Sequence, residues 1–303
     1  MPDAMSGNAT PCTGSAYTYS VPAVAGATSY DWVLPSGWTG TSTTNSISVT
    51  AGTGSGTIDV RAVNVCGNSA YRTYAVSAIT TLGAPTGLGG EIAPCVGSTY
   101  SYGINPVAGA TSYQWTLPSG WTGSSTGLSI SATASATAGN VEVLAVNACG
   151  NGVAATLAVV PVDVPATPGA ISGNTLPCIG GSYTYSVAAV PTATSYNWTL
   201  PSGWSGTSST NSINVTVGAT GGTISVSATN ACFTGSVQTL SVGTQTVLSA
   251  PGAISGNAAP CEGATTVYSI SPVAGASSYQ WTLPAGWTGS STGLSISATS
   301  SGT

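Results

Sequence analysis

Apolar and polar residues alternate with period two in short runs along the whole chain. In Ser29-Tyr30-Asp31-Trp32-Val33-Leu34, the residues Tyr30, Trp32 and Leu34 share one face, and Asp31 and Val33 the other. The same pattern returns at Tyr113, Trp115, Leu117 and at Tyr196, Trp198, Leu200, with Gln114, Thr116, Asn197 and Thr199 between them. Ile58, Val60 and Ala62 alternate with Asp59 and Arg61 in the same way. Ile47 with Val49, and Tyr17 with Tyr19 and Val21, mark two more strands. Apolar-in, polar-out alternation is the signature of an antiparallel sheet wet on one face. Pro, Gly, Ser and Asn clusters such as Pro35-Ser36-Gly37 bound the runs. No stretch keeps a helical period, and the abundant Thr, Ser, Val and Gly disfavour helix.

The pattern repeats every 83 residues. Cys12, Cys95, Cys178 and Cys261 keep this spacing, as do Trp32, Trp115, Trp198 and Trp281. Trp38, Trp121, Trp204 and Trp287 keep it too, and so do Cys66, Cys149 and Cys232. Pro2, Pro85, Pro168 and Pro251 mark the junctions. The sequence therefore predicts repeats at 1–84, 85–167, 168–250 and 251–303, the last one truncated. Residues 106–133 and 272–299 differ only at Thr111/Ser277 and Ser119/Ala285, so a two-repeat unit of 166 residues lies above the single one. About seven short strands per repeat predict an all-β fold of tandem immunoglobulin-like sandwiches. The fourth repeat lacks the two last strands and the second cysteine of the others. Together with a start that has no basic and apolar leader, this leads to the expectation of a longer gene product.

A sandwich this small is marginal on its core alone. Cys66 continues the inward parity of Ile58, Val60 and Ala62. The expected staples are therefore Cys12–Cys66, Cys95–Cys149 and Cys178–Cys232, each worth ~4 kcal/mol in chain-entropy terms, with Cys261 unpaired. A zinc site would need paired CxxC spacing or His, and neither is present. Disulfides place the chain in an oxidising, extracellular setting. Trp32, Trp115 and Trp198 are expected to pack on these disulfides in the core.

Composition removes several classes of function. Of 303 residues only nine are charged, with no Lys or His, and Arg61 and Arg72 are the only cations. Nucleic acid and anionic membranes need a basic surface that two arginines do not supply. No apolar run approaches the ~20 residues of a membrane-spanning helix. The acids do not recur between repeats: Asp31 becomes Gln114, Asn197 and Gln280. Acid–base catalysis and calcium binding both need convergent groups, so neither an enzyme nor a metal or cofactor site is expected. Trp38, Trp121, Trp204 and Trp287 follow Pro-Ser-Gly or Pro-Ala-Gly turns and are the candidates for stacking on a sugar ring. Covering the core edge is the plainer role for a Trp. Asn64, Asn147 and Asn230 stand two residues before a cysteine, where a turn-capping role is expected.

The segments Ser112–Gly123 (SYQWTLPSGWTG) and Ala145–Asn151 (AVNACGN) resemble PKD-like/Ig-like repeats of secreted bacterial proteins, common in large surface proteins of the Bacteroidetes type. The resemblance covers all four repeats, although Trp-Thr-Leu-Pro-Ser-Gly stands where better-known PKD domains have WDFGDG. It implies a β-sandwich used as a spacer or adhesive module. The expected role is a stretch of a cell-surface stalk, adhesin or filament. The expected partners are neighbouring repeats or copies of the chain itself, with surface glycans as the alternative.

Overall fold

The computed structural model describes residues 1–301. Gly302 and Thr303, the last positions of the predicted fourth repeat, lie outside the described residues. The chain forms two compact units, Met1–Asp163 and Val164–Thr303. Among the described residues all regular structure is β.

Repeat 1 contains β1 (Ala16–Ser20), β2 (Ser29–Val33), β3 (Ser46–Thr50), β4 (Gly56–Asn64), β5 (Gly67–Asn68) and β6 (Arg72–Val76). β1 pairs antiparallel with β3 in one sheet, while β2, β5 and β6 all pair with β4 in the other. Single bridges at Ser6–Ser20 and Thr39–Thr50 add an extended edge on each side of the β1–β3 pair. Repeat 2 has the same layout in β7 (Thr99–Gly103), β8 (Ser112–Thr116), β9 (Ser129–Thr133), β10 (Gly139–Asn147) and β11 (Gly150–Val159). Here the last strand is continuous where repeat 1 breaks between β5 and β6. Repeat 3 follows with β12 (Ser182–Ser186), β13 (Ser195–Thr199), β14 (Ser212–Thr216), β15 (Gly222–Thr229) and β16 (Gln238–Val242). Repeat 4 contributes β17 (Thr265–Ser269) and β18 (Ser295–Thr299), one antiparallel pair. The register recurs with the sequence: Tyr19 faces Ile47, Tyr102 faces Ile130, Tyr185 faces Ile213 and Tyr268 faces Ile296.

The predicted alternation gives the cores. Ile58, Val60 and Ala62 on β4 are buried, as are Val141, Val143 and Ala145 on β10, and Ile224, Val226 and Ala228 on β15. Tyr19, Tyr102 and Tyr185 have no exposed surface. Each satisfies its buried hydroxyl by donating to a carbonyl eleven residues back: Asn8 at 2.6 Å, Glu91 at 2.8 Å and Asn174 at 2.7 Å. Gly7 lies flat on the Tyr19 ring, where an added Cβ would strike the ring carbons.

The deeper burial falls to the second tryptophan series, in line with the plainer of its two expected roles, and not to the first. Trp32, Trp115 and Trp198 pack against the core but stay half-exposed. Their Nε1 groups donate to Thr44, Gly127 and Thr210 carbonyls at the sheet margin. Trp38, Trp121 and Trp204 are the buried ones, at 6%, 7% and 7% exposure. The turn after Pro35, with Gly37 at φ 82°, folds Trp38 back under the sheet. Its Nε1 donates to the Gly54 carbonyl at 2.9 Å, and Trp121 and Trp204 repeat that bond to Thr137 and Thr220. Trp121 and Trp204 also tilt against Tyr102 and Tyr185, with ring centroids 6.3 and 6.2 Å apart. Sugar stacking at Trp38, Trp121 and Trp204 is thereby corrected, because a ring already enclosed by the core offers no free face. Trp287 is half-exposed beside Trp281 and Tyr268, over the open side of the β17–β18 pair.

Two outcomes test this core. Trp38→Ala should cost about 3–5 kcal/mol in urea unfolding, the usual range for emptying a large buried aromatic site, whereas Trp32→Ala should cost clearly less. The Tyr19 phenol is pushed up to about 12 by burial, with further contributions from Tyr74 and Tyr17. A raised phenol pKa stabilises the fold fully below about 10, the value in the unfolded chain, and that stability is lost as pH rises through about 12. Spectrophotometric titration should therefore show a group of tyrosines ionising together with alkaline unfolding.

Candidate functional site

The recurrent chemistry of this chain is its cysteines, and the strand lengths decide where they lie. Cys12 precedes β1 at the end of the sandwich where β4 begins. There it makes a parallel bridge with Ile79, where the chain leaves repeat 1. Cys66 lies beyond the other end of β4, in the turn between β4 and β5. β4 has nine residues, so at ~3.3 Å each the two ends lie about 30 Å apart. A disulfide needs Cα atoms within ~7 Å. The expected Cys12–Cys66 bond is therefore impossible in this fold.

Cys12 bonds instead to Cys149, in the β10–β11 turn of repeat 2, with the Cα atoms 5.5 Å apart. The link spans 137 residues and joins consecutive repeats. It also corrects Cys95–Cys149, since Cys149 is already taken. Cys66, Cys178 and Cys261 carry free thiols, which corrects Cys178–Cys232 as well. Cys95 and Cys232 are not among the free thiols. Parity along β4 had indicated the face on which Cys66 lies. It carried no information about the end of the sandwich.

Each partner of the bond is held by local chemistry. The Cys12 amide donates to the Tyr17 hydroxyl at 2.9 Å, fixing the loop before β1. The Cys149 amide donates to Asn147 Oδ1 at 2.9 Å, a cap that Asn64 and Asn230 repeat for Cys66 and Cys232. The recurrent asparagines are thus turn-formers, as their spacing indicates. Asn147 has a second task. Its Nδ2 donates to the Thr80 carbonyl at 2.9 Å, and the residue is 7% exposed, whereas Asn64 is exposed and bonds the Gly26 carbonyl of its own repeat.

The segment leaving repeat 1 completes the junction. Leu82 is buried in a cluster with Tyr113, Val143 and Ala145 of repeat 2. Its carbonyl accepts from the Val153 amide at 3.2 Å. A Cβ on Gly152 would sit 2.5 Å from that oxygen, so the close approach requires glycine there. The Ile79 carbonyl oxygen lies 3.5 Å from Cys149 Sγ. The junction thus combines a buried leucine, backbone hydrogen bonds, a capped asparagine and one covalent bond. Closing a loop of this length is worth about 5 kcal/mol in chain-entropy terms.

Charge plays a local part. Arg61 pairs with Asp31 at 2.7 Å on the wet face of repeat 1 and lies over the Tyr71 ring. Among the described residues no three His, Cys, Asp or Glu side chains gather as metal ligands, and no helix is long and apolar enough to cross a membrane.

The fold and junction define a chain of tandem immunoglobulin-like sandwiches. The PKD-like domain matches it four times, at residues 1–76, 82–159, 164–242 and 247–302, and the chain belongs to that family. No catalytic domain is among the matches. No curated protein matches the chain. Similar solved structures include the FN1–FN3 domains of chicken CNTN1, at 15% identity over 80% of this chain and 99% of that one, with a TM-score of 0.30. FdeC, an adhesin of Escherichia coli, matches at 14% identity over 79% and 98%, with a TM-score of 0.33. The Bacteroides ovatus SGBP-B of a mixed-linkage glucan utilization locus matches at 16% identity over 80% and 67%, with a TM-score of 0.21.

The two arginines give a direct test of the pairing. Trypsin acting on the alkylated, denatured, unreduced chain cuts after Arg61 and Arg72. With Cys12 bonded to Cys149, fragment 1–61 should stay attached to 73–303, and the short piece carrying Cys66 should be released. A bond within repeat 1 would retain the short piece on 1–61 and free 73–303. Mass spectrometry before and after reduction distinguishes the two.

Proposed function

We propose that this chain is a structural repeat region of an extracellular surface stalk, adhesin or filament. The observation that carries the reading is the covalent bond between repeat 1 and repeat 2. A domain that acts alone gains stability from a disulfide within itself. A disulfide between neighbours fixes their mutual orientation, and that is useful where the array as a whole has to hold a direction. Stacked repeats also share stability through their nearest-neighbour interfaces. The bond calls for an oxidising compartment, consistent with export from the cytosol. The scarcity of cationic residues suits the same setting, since Arg61 and Arg72 are the only cleavage points for trypsin-like proteases. The partners in this reading are other repeats, in the same chain or in copies of it. Glycan binding through the second tryptophan series finds no support at Trp38, Trp121 or Trp204, because all three are buried.

Small-angle scattering on chains of two, three and more complete repeats tests the proposal. The maximum dimension should grow linearly, by roughly 35–40 Å per repeat, given strands of ~7 residues at ~3.3 Å plus loops. Reduction should broaden the distribution of dimensions by freeing the junction. A compact particle, with repeats folded back on one another under oxidising conditions, would overturn the stalk.

A further inference from the structure

The hairpin by which repeat 2 meets repeat 1 contains one reactive dipeptide. Gly152 is glycine because any Cβ there would stand 2.5 Å from the Leu82 carbonyl oxygen and 3.1 Å from that of Ala145. The residue before it is Asn151, and Asn151-Gly152 is the only Asn-Gly pair in the chain. Repeat 1 has Asn68-Ser69 at these positions and repeat 3 has Thr234-Gly235, so neither combines the two residues. The combination has a chemical consequence. A backbone nitrogen can attack the side-chain amide carbon of a preceding Asn and close a cyclic imide. A side chain on the following residue hinders that approach, and glycine leaves the nitrogen open.

The fold leaves Asn151 exposed to water and holds its backbone in place from two sides. β10 and β11 shift register between Leu144 and Val146, so Gly152 and Val153 together face Ala145 in a bulge. Asn151 Nδ2 donates to Gln114 Oε1 at 3.2 Å on the wet face of the sheet. The extended backbone of β11 does not present the Gly152 nitrogen to Asn151 Cγ for attack. Rotation about ψ brings the two together. That rotation requires the hairpin to leave the Leu82 segment, where the Val153 amide donates to the Leu82 carbonyl at 3.2 Å. The Cys12–Cys149 bond, two residues before Asn151, keeps the hairpin on that segment.

We infer that Asn151 is a modification site, which converts to aspartate and isoaspartate when the junction between repeats 1 and 2 opens and then keeps that junction from closing as before. The Gly152 nitrogen forms a bond to Asn151 Cγ and gives up its proton. The Cγ–Nδ2 bond breaks, and ammonia leaves with that proton. Water then opens the imide. Attack at Cγ restores the main chain with an aspartate side chain. Attack at the backbone carbonyl carbon gives isoaspartate, in which the main chain runs through the former side chain and is one carbon longer. Water is the only co-reactant, and nothing is oxidised or reduced. Isoaspartate moves Gly152 and Val153 out of register with the Leu82 carbonyl. Either product replaces the amide beside Gln114 with a carboxylate. An interval of reduction thus stays written in the backbone after the disulfide has re-formed.

The test incubates the full chain in warm, mildly alkaline buffer, beside Cys12→Ser and beside the parent chain in urea. Chymotryptic digestion and mass spectrometry read the mass gain of amide-to-acid conversion at each Asn. Asn151 should convert ahead of every other Asn, most slowly in the oxidised parent, about tenfold or more faster in Cys12→Ser, and fastest in urea. The parent held in a phosphine reductant repeats the comparison without a substitution. Asn151→Thr, the residue type that repeat 3 has at this position, should keep the Val153 amide protected from hydrogen exchange through an incubation that strips protection from the parent under reductant. Conversion of Asn151 in urea but in no folded sample would overturn the site. Equal rates with and without the Cys12–Cys149 bond would overturn its coupling to the junction. Either result leaves the extended array of the preceding section untouched, because that reading depends on Cys12–Cys149 alone.

Discussion

Each complete repeat carries its two cysteines at opposite ends of one long strand, and the junction between repeats 1 and 2 depends on that separation. β4 and β10 have nine residues each, more than enough to hold the cysteines of one repeat out of bonding range. The chain enters a repeat near the hairpin turn that bears the second cysteine and leaves it beside the first. Where repeat 1 ends and repeat 2 begins, the first cysteine of one and the second cysteine of the other therefore meet. The bond is thus a property of the connection, and neither repeat makes it alone.

Around this arrangement the cores are closed by polar groups on aromatic rings. Tyr17, Tyr19 and Tyr30 all spend their hydroxyls on backbone groups of the loops: Cys12, Asn8 and Val24. Tyr100, Tyr102 and Tyr113 do the same one repeat later, at Cys95, Glu91 and Val107. Loops without regular structure thereby become fixed platforms for the cysteines. Repeat 4 departs from this scheme. It has Thr266 where Tyr17, Tyr100 and Tyr183 stand, so no phenol supports the loop at Cys261.

The sequence made the strands, their faces and the period legible, because alternation reports side-chain direction and recurrence reports the unit. Ile58, Val60 and Ala62 point inward as their spacing requires. Asn64 and Asn147 cap turns as their position before a cysteine requires. Two matters were beyond that logic. Period-two parity says which face a residue occupies and is silent about the distance along the strand, so it made Cys12 and Cys66 look like partners. Counting the residues between the start of β4 and Cys66 was the available signal. The choice between Trp32 and Trp38 rested on whether the Pro35-Ser36-Gly37 turn folds inward, a tertiary outcome that two tryptophan series of identical period do not reveal.

The Cys12–Cys149 bond also sets how the array bears load. Tension applied along the chain passes from Cys12 directly to Cys149, and the 137-residue stretch that the bond closes lies outside the path of force. Most of repeats 1 and 2 is then shielded from mechanical unfolding. At ~3.3–3.6 Å per extended residue, the length withheld is roughly 450–490 Å. Reduction of that one bond returns the withheld stretch of repeats 1 and 2 to the path of force.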